Sequence, residues 1–120
     1  MEYDIGKIAI EAQRGAASYD RALAARIAEA KNSIPAIRDE MLKRDPSIRK
    51  IVFFGSLATG TVRDLSFDID IALSGERVFK LAAWGEDQNV PVDVVDYDAL
   101  TAEFKAEVDR QGVVLYAKED

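Results

Sequence analysis

IVFFGSLATGTVRDLSFDIDIAL, residues 51–73, holds two different kinds of strand and the turn between them. Residues 51–54 are apolar at every position and stop at Gly55, the pattern of a central strand covered on both faces. Residues 67–73 alternate instead: Asp68, Asp70 and Ala72 interleave with Ile69, Ile71 and Leu73, so one face is apolar and the other carries carboxylates. Between them, residues 55–66 read as loop, with Gly60 and Thr61 as turn residues.

Upstream of this stretch the chain reads as helix. Ile5, Ile8, Ala12, Ala16, Tyr19, Leu23, Ile27, Ala30, Ile34, Ile37 and Met41 recur in steps of three and four, which places them on one helical face. Asn32-Ser33 followed by Pro35 either ends one helix and caps the next or leaves a kink in a continuous one. Asp45-Pro46 closes the segment. Downstream, residues 77–84 read as a short helix and residues 90–95 as a third strand. Asp98 suits the N-cap of a helix running to about Arg110, Gly112 stands where a C-terminal glycine belongs, and residues 113–116 form a last strand. The expected class is α+β: a small mixed sheet flanked by helices, with a helical extension over residues 1–33 and the main domain over 34–120.

Composition removes several chemistries. The 120 residues include no cysteine and no histidine, so disulfides, thiolate zinc sites, Ser-His-Asp triads and His-ligated metals are all excluded. Any metal must be held by oxygens, which suits Mg²⁺ or Mn²⁺. A net charge of −6 argues against general DNA binding, where phosphate neutralisation supplies much of the affinity. The basic cluster Arg38, Lys43, Arg44, Arg49 and Lys50 reads as a solvated helix end. With no long apolar run and an acidic N-terminus, a cytoplasmic location and no membrane association are expected.

Three features carry chemistry. Asp68 and Asp70 share a strand face, and two like charges so placed repel unless a cation sits between them. Gly55-Ser56 leaves a strand where backbone N–H groups and a hydroxyl can approach a polyphosphate. Asp93 interrupts the apolar strand Val92-Asp93-Val94-Val95 and needs either a partner or a cleft. Each has a plain alternative: a solvated strand face, an ordinary turn, a strand-end residue. Asp96 competes with Asp93 but falls on the opposite face of a regular strand.

Together, Gly-Ser, eleven intervening residues, Asp-x-Asp and a later single aspartate form a layout. With PVDVVD at 91–96 and RQGVVLY at 110–116, it resembles the DNA polymerase beta-like nucleotidyltransferase superfamily, and within it the minimal nucleotidyltransferases. The resemblance covers roughly residues 34–117 and implies a polymerase beta-like fold. It implies that Asp68, Asp70 and Asp93 hold two Mg²⁺ ions, with Asp93 also helping to take the acceptor's proton. It further implies that Gly55 and Ser56 bind the outgoing phosphates of ATP. It departs from the family at Leu57 and Thr59, where many relatives carry arginine, and Arg63 is expected to reach back in their place.

Minimal nucleotidyltransferases of this type are often paired with a small helical HEPN-type protein. The resemblance therefore implies AMP transfer from ATP to a hydroxyl, a tyrosine of a HEPN-type toxin, with this chain as antitoxin. A non-catalytic antitoxin acting by occlusion is the alternative. A straight helix over residues 5–44 would run about 60 Å, whereas a chain this size has a radius of gyration of about 14 Å. The segment must then fold back as a hairpin or protrude, in which case a partner or a second copy of the chain would cover it.

Overall fold

The computed structural model describes the backbone of residues 5–119 and the side chains of residues 13–119. Helix α1 (Ile5–Arg44) leads into strand β1 (Lys50–Phe54) and the short helix α2 (Gly55–Thr59). Strand β2 (Ile69–Ser74), helix α3 (Val78–Glu86) and strand β3 (Val92–Asp96) follow, then a 3₁₀ turn (Tyr97–Ala99), helix α4 (Ala102–Gln111) and strand β4 (Val113–Ala117). The sheet order is β3-β2-β1-β4. β1 is antiparallel to both β2 and β4, while β2 and β3 run parallel, so the expected mixed α+β sheet is present.

One face of the sheet carries the main core. Ile51 and Phe53 of β1, Ile69, Ile71 and Leu73 of β2, and Val92 and Val94 of β3 pack there against Ala30, Ile34, Ile37 and Met41 of α1 and Val78 and Leu81 of α3. The opposite face is thinner: Val52, Ala72 and Val108 are buried, joined by the partly buried Phe54, Val95, Tyr97 and Leu100. Strand β1 is apolar from Ile51 to Phe54 because both of its faces are covered. Asp70 of β2 and Asp93 of β3 fall on the thinner face, with Ala72 and Val95.

α1 neither breaks nor folds back; it keeps Pro35 inside one continuous helix of 40 residues. Ala30, Ile34, Ile37 and Met41 are buried, but residues 13–22 are all exposed. The stripe therefore runs past the edge of the core, and the molecule measures 72 × 29 × 21 Å with a radius of gyration of 18.8 Å. Ile5, Ile8 and Ala12 lie outside the described side chains. Four of the five residues of the basic cluster form ion pairs: Arg38 with Asp39, Arg44 with Glu40, Arg49 with Asp98 and Lys50 with Asp109. No helix among the described residues is long and apolar enough to cross a membrane.

Boundaries differ from expectation where a local device intervenes. The segment read as loop begins with the helical turn α2, and β2 starts at Ile69 instead of residue 67. Both follow from Gly55, whose φ of +81° swings the chain out of the sheet and leaves residues 67 and 68 no neighbour on β1. β3 starts at Val92 because Pro91 has no N–H to give the ladder. Asp98 caps nothing: its carboxylate takes bonds from Ser74 Oγ (2.7 Å) and Arg49 (3.0 Å). Thr101 is the N-cap of α4, its hydroxyl accepting from Phe104 N. Gly112 ends α4 in an extended conformation, not a left-handed one. It is needed there for space, since a Cβ would collide with Val52 and the Val108 carbonyl.

Candidate functional site

The site is built from the start of β2 outward. Asp70 stands opposite Asp93 in the parallel β2–β3 register and opposite Phe54 in the antiparallel β1–β2 register. Three neighbouring strands thus present Asp93, Asp70 and Phe54 in a row on the thinner face. Asp68 lies two residues before Asp70, just outside the strand, and is exposed, as is Asp93; Asp70 is half-buried.

Electrostatics join the three carboxylates. Burial first, then the charges of Asp93 and Asp68, push the Asp70 carboxyl from its ordinary 3.8 up to about 6. All three influences raise it, and no cation or hydrogen-bond donor among the described residues offsets them. None of the six ion pairs among the described residues involves Asp68, Asp70 or Asp93. Nor do three acidic side chains among the described residues enclose a common point as a finished metal cage. The register brings Asp70 and Asp93 together, and Asp68 acts on Asp70 as a further charge. Such an uncompensated, oxygen-only donor set fits a hard divalent cation.

Gly55 sits directly against Asp70. A Cβ at Gly55 would overlap the Asp70 carboxylate, and its positive φ already disfavours any other residue. The glycine thus places Ser56 beside the acidic row. Ser56, Thr61, Arg63, Asp64, Asp68 and Asp70 line one open cleft of about 360 Å³. Arg63 therefore does share a cleft with the carboxylates, whereas Asp93 is not among its walls.

Leu57 and Thr59 do other work. Leu57 is buried in the core. Thr59 Oγ1 turns back on the Gly55 carbonyl at 3.2 Å and also bonds Thr61 Oγ1 at 2.9 Å. Asp96, the rival of Asp93, has a structural task, accepting a bond from Asp98 N at 3.1 Å. Thr61 and Asp64 also line the cleft, and the only sequence signal for either as a site residue is closeness to Gly55-Ser56.

With this geometry in place, comparison with known proteins is decisive at the family level. The family model for polymerase beta, nucleotidyltransferase matches residues 38–120. The chain belongs to this nucleotidyltransferase family. Its fold resembles a chain in the crystal structure of a toxin–antitoxin with AMP-PNP, at TM-score 0.58 and 25% identity over 71% of this chain and 74% of that one. A chain of the toxin–antitoxin MntA-HpeT, crystallised as a tyrosine-to-alanine mutant, matches at TM-score 0.54 and 26% identity, covering 74% and 73% of the two chains. A second MntA-HpeT mutant shares the fold at TM-score 0.58 and 22% identity, over 71% of this chain and 74% of its own. No curated protein matches the chain at a comparable stringency. The expected polymerase beta-like architecture is borne out for this nucleotidyltransferase.

Proposed function

We propose that this nucleotidyltransferase moves AMP from Mg²⁺-bound ATP onto a hydroxyl, a tyrosine of a small helical HEPN-type toxin, and so acts as the antitoxin. The observation that carries the reading is Asp70: a half-buried carboxylate, opposite Asp93 in register and against Gly55, whose charge nothing among the described residues neutralises. The toxin–antitoxin neighbour with AMP-PNP supports an adenine nucleotide as substrate and a toxin as partner.

In this reading Asp68, Asp70 and Asp93 hold two Mg²⁺ ions. When bound, the ions supply charge neutralisation at the attacking and leaving oxygens. The chain's own residues do the rest. Gly55 and Ser56 hold the outgoing phosphates, and Arg63, which lines the same cleft as Ser56, adds positive charge there. Asp93 takes the proton as the acceptor oxygen bonds to the α-phosphorus and pyrophosphate departs. Catalysis by positioning and charge needs no histidine, in keeping with a chain that has none.

Residues 34–120 form the nucleotidyltransferase domain, and residues 1–33 are an extension available to a partner or to a second copy of the chain. The family match beginning at residue 38 supports this division, and within the extension residues 13–22 are all exposed.

The test is transfer of label from α-labelled ATP to a co-expressed helical partner in the presence of Mg²⁺. Wild type labels the partner, and Asp70→Asn lowers the rate by about a thousandfold, roughly 4 kcal/mol of transition-state stabilisation. Labelling at an undiminished rate by Asp70→Asn would remove the site. Neutralisation of the partner by Asp68→Ala/Asp70→Ala without any labelling would favour occlusion.

A further inference from the structure

Across the thinner face the row does not end at the carboxylates. Phe54, next to Asp70 on the adjoining strand, is only partly buried, and it forms an edge-to-face pair with Phe104 of α4. Their centroids are 6.3 Å apart with the planes at 88°. Phe104 keeps 44% of its surface in solvent, although it sits in the first turn of α4 beside the site. An edge-to-face pair leaves a ring face of the outer partner free for a third aromatic group. Neither phenylalanine lines the cleft shared by Ser56, Arg63, Asp68 and Asp70, so the pair and the cleft are separate surfaces that meet at Asp70.

We infer that Phe54 and Phe104 form a subsite for a planar aromatic ring, held outside the phosphate cleft while the reacting atoms lie over the acidic row. The inference rests on the nucleotidyl-transfer reading and adds to it the part of the ligand that the cleft does not hold. Phe54, half-buried against Val52, Ala72 and Val108, fixes the angle of the platform. Phe104 supplies the exposed ring. Two groups in the reaction carry such a ring: the nucleobase of ATP and an aromatic acceptor such as tyrosine. Stacking of either on a phenylalanine depends on the π-face and not merely on side-chain volume.

The test compares wild type with Phe104→Leu, which keeps the volume, and Phe104→Tyr, which keeps the ring. Binding of a non-hydrolysable ATP analogue and of inorganic tripolyphosphate is measured by calorimetry with Mn²⁺. Transfer of AMP onto N-acetyltyrosine amide is measured with labelled ATP. If the ring is the nucleobase, Phe104→Leu weakens the ATP analogue about tenfold, leaves tripolyphosphate unchanged, and Phe104→Tyr restores binding. If it belongs to the acceptor, nucleotide affinity holds while KM for N-acetyltyrosine amide rises about tenfold, again restored by Phe104→Tyr. Phe104→Leu matching wild type in both assays would overturn the subsite. So would a loss that Phe104→Tyr fails to restore. If wild type itself bound neither ATP analogue nor tripolyphosphate, the nucleotidyl-transfer reading would fail first and this inference with it.

Discussion

Asp45 and Asp70 are both aspartates withdrawn from solvent at the margins of one sheet, and they are treated in opposite ways. Asp45, between α1 and β1, is fully buried. Its carboxylate accepts from Ser47 N (2.9 Å), Ser47 Oγ and Arg77 N (3.0 Å). Burial works to raise its pKa, but the bonds from Ser47 and Arg77, with the Arg77 charge, bring it below the ordinary value. Asp70 is less buried, yet its neighbours are two more carboxylates and no donor, and its pKa rises. The first carboxylate is finished by the fold. The second is left for something the fold does not contain, which separates a structural acid from a functional one.

That contrast predicts stability effects of opposite sign. Asp45→Ala leaves the N–H groups of Ser47 and Arg77 without their acceptor and unties the end of α1 from the start of α3. It should cost about 2–4 kcal/mol, read as a shift of the urea midpoint at unchanged slope. Asp70→Asn removes a repelled charge without changing shape against Gly55. At pH 8 without divalent ions, it should raise the thermal midpoint by about 2–4 °C. A fall at Asp70 as large as that at Asp45 would erase the distinction.

The pH dependence sharpens it further. The folded pKa of Asp70, about 6, lies above its ordinary 3.8, so between these values the folded state binds more protons than the unfolded. Stability attributable to Asp70 therefore falls as pH rises from about 4 to about 6. Asp45 has the opposite sign: its contribution is present above the ordinary 3.8 and is lost as pH falls below it. Subtracting the Asp70→Asn stability curve from that of wild type should isolate the decline, and subtracting that of Asp45→Ala should isolate the rise. Mg²⁺ should abolish the Asp70 decline, because the cation favours the ionised carboxylate. A decline persisting in Asp70→Asn would mean that another group causes it.

The same difference explains what the sequence made legible. Periodicity exposed β1, β2 and the carboxylates because alternation and continuous burial are one-dimensional records of a sheet's two faces. Gly55-Ser56 was legible because a strand ended there. Asp45 was read only as a stop before Pro46, although Asp45-Pro46-Ser47 can place a carboxylate over its own turn; its third donor, Arg77 N, is 32 residues away. Asp98 looked like a cap until the sheet brought Arg49 and Ser74 to it. Phe104 carried no signal at all, because its distance from Asp70 is set by how α4 crosses the sheet. The protrusion of α1 is illegible in the sequence for a similar reason: a stripe shows which face is apolar, not where its cover ends.

The smallest expected effect lies where the exposed part of α1 meets the site. Tyr19, 41% exposed, accepts a hydrogen bond through its hydroxyl from Leu65 N at 3.2 Å. Leu65 lies between Asp64 and Ser66, both on the wall of the cleft, so the bond ties α1 to the segment that carries Arg63 and Asp68. At the Asp45 end three donors hold one carboxylate in the interior; here one donor meets one exposed phenol. A single exposed bond is worth little, at the low end of about 0.5–1.5 kcal/mol. Tyr19→Phe should therefore leave the thermal midpoint within about 2 °C of wild type. Its influence should appear where the cleft wall matters, as a rise of about threefold in KM for Mg²⁺-ATP with kcat unchanged. An unchanged KM would mean that the wall keeps its shape without α1, and that a partner on the exposed helix has no route to the nucleotide through this bond.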